Sequence, residues 1–131
     1  MGNSKLIDAS IEMAVNVVNF CKWLMNEKKE FIMSKQLLRS GTSIGANIHE
    51  AYYASSRTDF IYKMQIALKE ASESEYWLIV LQRTGYFDAP FIELPVICSS
   101  LARMLTATLN TAKARQAEEL SDRRRKKPDS V

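Results

Sequence analysis

Residues 36–51, QLLRSGTSIGANIHEA, constrain the fold more than any other stretch. Read at helical spacing, Leu37, Gly41, Ile44, Ile48 and Ala51 fall on one stripe, and Gln36, Ser40, Ser43, Asn47 and Glu50 on an adjacent polar one. Two unlike stripes side by side require two unlike neighbours, so this helix belongs inside a bundle. Gly41 and Gly45 have the small-xxx-small spacing that lets helix backbones approach. A mid-helix glycine costs about 1 kcal/mol against alanine and therefore implies close packing. The polar neighbours Arg39, Asn47, His49 and Glu50 exclude a membrane dimerisation motif, and no strand precedes the glycines as a phosphate loop would need.

The rest of the chain carries the same helical period. Ile7, Ile11, Ala14, Val18, Cys21 and Met25, flanked by Met13, Val17, Phe20 and Leu24, predict a first helix over about 4–26. The polar run 26–30 reads as a loop, with Ser34 placed to cap a second helix over about 34–54. Ser56 followed by Asp59 has the form of a capping box, so a third helix starts there and reaches Arg83 or Thr84, with Gly85 supplying a left-handed cap. Its core stripe is Phe60, Met64, Ala67, Ala71, Ser74, Leu78 and Leu81, small in the middle and suited to close approach by the glycine-bearing helix. Pro95 either kinks a fourth helix or leaves it to begin near Glu93 or Leu94. Ile97, Leu101, Met104, Leu105, Leu109 and Ala112 carry that helix toward Gln116.

At 131 residues the chain is long enough for one core without disulfides or metal. Four Gly and three Pro favour long helices over a turn-rich β fold. The expected architecture is all-α, an antiparallel up-down-up-down four-helix bundle over residues 1–120. Residues 121–131 read as a basic, disordered, solvated tail. The net charge of +3 hides an asymmetry: residues 1–120 are balanced, with thirteen cations and thirteen carboxylates. The excess lies in Arg123, Arg124, Arg125, Lys126 and Lys127. Cys21 and Cys98 sit on helical patterns with no secretory segment ahead of them, which predicts reduced thiols and a cytoplasmic setting. The longest apolar run, 77–81, is far short of the roughly 20 residues of a membrane span, so no membrane role is expected.

The segment RSGTSIGANIHE, from Arg39 to Glu50, and ALKEASESEYW, from Ala67 to Trp77, resemble the signature helices of a bacterial family: four-helix-bundle proteins encoded within intervening sequences of 23S ribosomal RNA genes. The resemblance covers about residues 5–112 and leaves out the basic tail. It implies a four-helix bundle, a ribosomal-like label that describes gene location, and self-association, since some relatives are homopentamers. A more distant resemblance, in fold, is to the pentameric accessory protein of diversity-generating retroelements, which binds a reverse transcriptase and nucleic acid.

Candidate chemistry is sparse. A carboxylate-bridged metal bundle needs Glu-x-x-His pairs, but Ala46 precedes His49 by three positions and there is no second histidine. Ser40, Ser43, Cys21 and Cys98 have no base at a recognisable spacing. No enzyme activity, metal or cofactor is therefore expected. Arg39 is placed to pair with Glu73 or Glu75 if the second and third helices run antiparallel. Arg39, Ser40, Gly41, Ser43, Gly45, Asn47, Glu50, Glu73 and Glu75 are thus candidate packing or subunit-interface residues. Arg123, Arg124, Arg125, Lys126 and Lys127 are the candidate nucleic-acid contact. Tyr52, Tyr53, Tyr62, Tyr76 and Trp77 offer rings that stack on bases or fill a core. The expected function is that of a non-enzymatic, self-associating RNA- or nucleic-acid-associated protein. The alternative is a protein-binding scaffold or accessory subunit, for example for a reverse transcriptase.

Overall fold

The computed structural model describes residues 2–126, with side chains from Lys5 onward. Four helices follow one another: α1 (Gly2–Glu27), α2 (Met33–Ala51), α3 (Arg57–Arg83) and α4 (Leu94–Lys126), with a short 3-10 turn at Ala89–Phe91. Each helix packs on its neighbours in the ring α1–α2–α3–α4–α1, which makes an antiparallel up-down-up-down bundle. The core is mainly apolar, from Leu6, Met13, Val17, Phe20 and Leu24 on α1 to Leu94, Cys98, Leu101, Leu105, Leu109 and Ala112 on α4, with a few buried serines among them.

The glycines of α2 face α1, and the expected approach to α3 is made by other residues. A Cβ on Gly41 would lie 2.8 Å from Val17 Cγ2, and one on Gly45 would lie 3.1 Å from Ser10 Oγ. The α2–α3 seam is instead closed by a buried hydroxyl pair, Ser40 and Ser74.

The first loop is more ordered than a polar run suggests. Lys29 adopts a left-handed φ of 55° and turns the chain so that Glu30 N donates to the Leu24 carbonyl at 3.0 Å. The helix α2 is then capped by Glu30 and not by Ser34. The Glu30 carboxylate accepts from the backbone N–H groups of Ile32 (3.1 Å), Met33 (3.1 Å) and Ser34 (2.7 Å). The Ser34 hydroxyl donates to the Glu30 carbonyl, inside the first turn. An extended-reach carboxylate satisfies three orphan donors where a serine satisfies one.

At α3 the expected devices are present: the Ser56 side chain accepts from Asp59 N at 3.1 Å, and Gly85 takes φ 82°. Between α3 and α4, Phe87 and Phe91 pack on Phe20 at 4.8 and 5.1 Å between ring centroids, and Trp23 lies 5.4 Å from Phe91. Pro95 occupies the first turn of α4, where its missing N–H costs nothing.

One expectation about the C-terminal third needs correction. The helix does not give way to a disordered tail at 121: α4 is helical through Lys126. Ala, Gln, Glu, Leu, Arg and Lys are strong helix formers, and cations in a last turn complement the helix dipole. Lys127 lies outside the described residues. Although no uninterrupted apolar run approaches 20 residues, α4 is by length and composition long enough and, over one 18-residue window, apolar enough to cross a bilayer. Ser99, Ser100 and Arg103 interrupt its run, and in the bundle its apolar stripe from Leu94 to Ala112 is core.

Candidate functional site

Two surfaces hold the polar residues singled out in the sequence. The first is the α2–α3 seam. Arg39 reaches across it to Glu70 (Nη1 to Oε2, 3.2 Å) and Glu73, and Trp77 Nε1 donates to the same Glu73 oxygen at 3.1 Å. Glu70 thus takes the place expected of Glu75, because residue 70 shares a helix face with 73 whereas 75 is turned to solvent. The Arg39 side chain is half exposed, so this is a rim contact and not a buried pair. Directly beside this contact, Ser40 and Ser74 are wholly buried with their hydroxyl oxygens 2.9 Å apart. Further along, Glu50 pairs with Lys63 at 3.1 Å.

Ser43 and Asn47 are half-buried and bond within α2: Ser43 Oγ donates to the Arg39 carbonyl (2.7 Å) and Asn47 Nδ2 to the Ser43 carbonyl (2.8 Å). Arg39, Ser40 and Glu50 are therefore committed to contacts within the chain. His49 is exposed, its ring 5.3 Å from that of Tyr53.

The second surface is the end of the bundle where α4 outruns its partners. Burial on α4 stops at Ala112, yet the helix continues for 14 more residues, through Lys126, or about 21 Å at 1.5 Å per residue. Two contacts hold its first half. Arg57, in the first turn of α3, donates from Nη2 (2.7 Å) and Nε (3.2 Å) to Glu119 Oε1, and Gln116 Nε2 donates to Thr58 Oγ1 at 3.0 Å. The bond from Arg57 holds the Glu119 carboxyl below the usual carboxylate range, an exposed pair's modest effect. Beyond them Arg123, Arg124, Arg125 and Lys126 stand exposed, with Asp122 on the same helix end and Arg125 Nη2 on Ser121 Oγ at 3.2 Å.

Neither thiol is disposed for chemistry. Cys21 and Cys98 are free and buried, and burial, aided by Glu30 and Glu75 respectively, pushes both up to about 12. Among the described residues no three His, Cys, Asp or Glu side chains gather as metal ligands would. Of the aromatic candidates, Tyr53, Tyr62 and Tyr76 are exposed, while Tyr52 and Trp77 are half-buried.

The sequence did not reveal the Glu30 cap, the pairing of Glu70 with Arg39 or the Arg57–Glu119 tie. The first had a readable signal, an acid two to four residues ahead of an apolar-periodic run. The other two join residues on different helices, and only the relative axial position of the helices brings them together.

This geometry defines a class: a small all-α bundle with a polar interhelical seam and a basic helix end. The chain belongs to the family of 23S rRNA-intervening sequence proteins, whose model matches residues 3–107. It is similar to a solved structure from Bacteroides thetaiotaomicron VPI-5482, a protein of unknown function from the S23 ribosomal protein family. The two are 50% identical, with a TM-score of 0.80, over 84% of this chain and 99% of that one. No curated protein matches the chain. The basic helix end thus lies beyond the family's matched core.

Proposed function

We propose that this protein is a non-enzymatic, self-associating cytoplasmic RNA-binding protein that grips single-stranded RNA by its backbone through the end of α4. One observation carries this reading: Arg123, Arg124, Arg125 and Lys126 are consecutive, exposed and helical, on a segment that projects past the core. Consecutive helical positions are spaced about 100° apart, so four of them distribute charge around the whole rod. Such a rod neutralises phosphates and reads no sequence. The membership in a family named for intervening sequences of 23S rRNA is in keeping with an RNA partner. Self-association is supported by the exposed apolar side chains Ile11 and Val15, which flank a groove of about 260 Å3 between α1 and α2 lined also by Ala14, Ala46 and His49. In an assembly several basic ends would engage one strand together, raising avidity without new contacts.

The test is oligouridine binding across a salt series, with the full chain and a variant carrying Arg123→Ala, Arg124→Ala, Arg125→Ala and Lys126→Ala. Affinity should fall with salt, and the variant's log–log slope should be flatter by up to about 3, at roughly 0.7 per single-strand phosphate released. Binding that is weak at low salt and unchanged in the variant would refute the reading and leave a protein-binding scaffold, indifferent to these cations, as its successor. Sedimentation of the same samples reports the assembly.

A further inference from the structure

Beside the basic helix end lies a cleft that phosphate neutralisation alone does not use. It has a volume of about 470 Å3 and is lined by Tyr52 at the end of α2, Arg57 and Phe60 at the start of α3, and Thr108, Thr111 and Arg115 on α4. That size falls within the roughly 300–1,000 Å3 of small-ligand sites. It lies where the chain turns from the end of α2 at Ala51 into the start of α3 at Arg57 and α4 passes alongside.

Its lining has three chemical parts. The first is aromatic: Tyr52 and Phe60 are half-buried and packed edge to face, with centroids 5.4 Å apart and planes at 69°. A pair locked in this way offers ring surface at little entropic cost. The second is cationic. Arg57 is held by Glu119 through Nη2 and Nε, and its Nη1 makes no hydrogen bond among the described residues. Arg115 has no carboxylate within ion-pairing distance among them. The third is a pair of hydroxyls already donating to their own helix, Thr108 to the Met104 carbonyl and Thr111 to the Ala107 carbonyl, both at 3.0 Å. Their proton is spent, so toward the cleft each presents an acceptor.

A ligand matching these parts is flat, carries an N–H donor and bears a negative charge close by. Those are the properties of a nucleotide. A groove lined by Thr58, Leu120, Arg123 and Glu119, whose carboxylate is paired with Arg57, leads from Arg57 toward the basic end. Arg123 lies eight residues past Arg115, a rise of about 12 Å along the helix, so one strand can engage both.

We propose that this cleft receives one nucleotide of single-stranded RNA, its base against Tyr52 and Phe60 with an N–H toward Thr108 or Thr111, and its phosphate on Arg115 and the free edge of Arg57. The proposal deepens the RNA-binding reading and rests on it for the strand as the source of the nucleotide.

The experiment compares three probes on the full chain: oligouridine, an abasic oligomer with the same number of phosphates, and free uridine monophosphate followed by amide chemical shifts. Oligouridine should bind roughly tenfold more tightly than the abasic strand, as stacking of one base provides. That preference should vanish in Thr111→Trp, which fills the cleft, and in Arg115→Glu, a surface change that keeps the fold. Alanine at Arg123, Arg124, Arg125 and Lys126 should weaken both strands alike and leave the preference intact. Equal binding of the two strands, or a preference that survives both cleft variants, overturns the cleft while salt-dependent affinity leaves the RNA reading standing. If no strand binds but uridine monophosphate shifts the amides of Tyr52, Thr108 and Thr111, the cleft takes a free nucleotide and the RNA reading fails. Silence from all three probes overturns both.

Discussion

Ser40 and Ser74 face each other across the α2–α3 seam with both side chains fully shielded from water and their oxygens 2.9 Å apart. Each also has a carbonyl on its own helix, Leu37 at 3.4 Å for Ser40 and Glu70 at 2.9 Å for Ser74. Two hydroxyls therefore fix the axial register of two helices without leaving a polar atom unsatisfied.

Replacing either serine by alanine should cost about 1–2 kcal/mol, because the survivor keeps only its local carbonyl. The double change should cost less than the sum of the two, by at least about 0.5 kcal/mol, since no orphan hydroxyl remains. Urea unfolding of the four proteins in the cycle measures this. Strict additivity would mean that the hydroxyls do not interact.

Gly41 should be the least replaceable position in the signature helix. A methyl there meets Val17 at 2.8–2.9 Å, and Val17 is wholly buried and branched at Cβ, so it has no rotamer to yield. Overpacking of about 1–3 kcal/mol outweighs the helix-propensity gain of about 1 kcal/mol. The expected result for Gly41→Ala is a lower midpoint of unfolding, and Val17→Ala in the same chain should recover part of the loss. If Gly41→Ala alone raises stability, the helices have room that the structure does not show.

The Glu30 cap links stability to pH. Burial pushes this carboxyl up, but bonds from the backbone N–H groups of Ser34, Met33 and Ile32 outweigh it and set it below its usual 4.5. A lowered folded-state value means that the ionised cap stabilises the fold fully above the unfolded value and loses that contribution as pH falls through the folded one. Glu30→Ala should therefore cost about 1–2 kcal/mol at neutral pH. The gap to the parent should close on the acid side of about pH 4. Thermal melts over that range decide it, and a gap that does not change with pH would mean the charge is irrelevant.

Removing the Arg57–Glu119 tie should release the end of α4 and little else. Arg57→Ala should speed amide hydrogen exchange from Gln116 onward while leaving Leu94 to Ala112 as protected as before, since those residues belong to the core. Uniformly faster exchange would place the tie in the global stability of the bundle.

How much of this was legible in the sequence follows from how far each feature reaches along the chain. Helix count, the Ser56 cap, the Gly85 turn and the apolar stripe of α2 depend on neighbours within four residues, and they were read correctly. On α1 the stripe was turned too far, since Ile11 is exposed and Met13, Val17, Phe20 and Leu24, taken as its flank, are the core. The glycines were read as packing residues, but their partner was assigned to α3, because spacing gives a face and not the helix that meets it. Glu75 was offered to Arg39 where Glu70 serves, a difference of helical phase that one sequence does not fix. The end of the bundle was drawn at residue 120 from the loss of apolar residues. That criterion detects burial, and α4 persists beyond burial on propensity, charge placement and two side-chain ties.

The aromatic cluster at the opposite end gives α4 a mechanical character. Phe87 and Phe91 seat the connection before α4 on Phe20 and Trp23, so the helix starts from a fixed pivot. From there to Lys126 it runs 33 residues without interruption, close to 50 Å. It is held by the core from Leu94 to Ala112 and tied again at Gln116 and Glu119. Past the last tie the helix runs about seven residues, roughly 10 Å, so the four cations ride on a short stub whose reach is set by the Arg57–Glu119 contact.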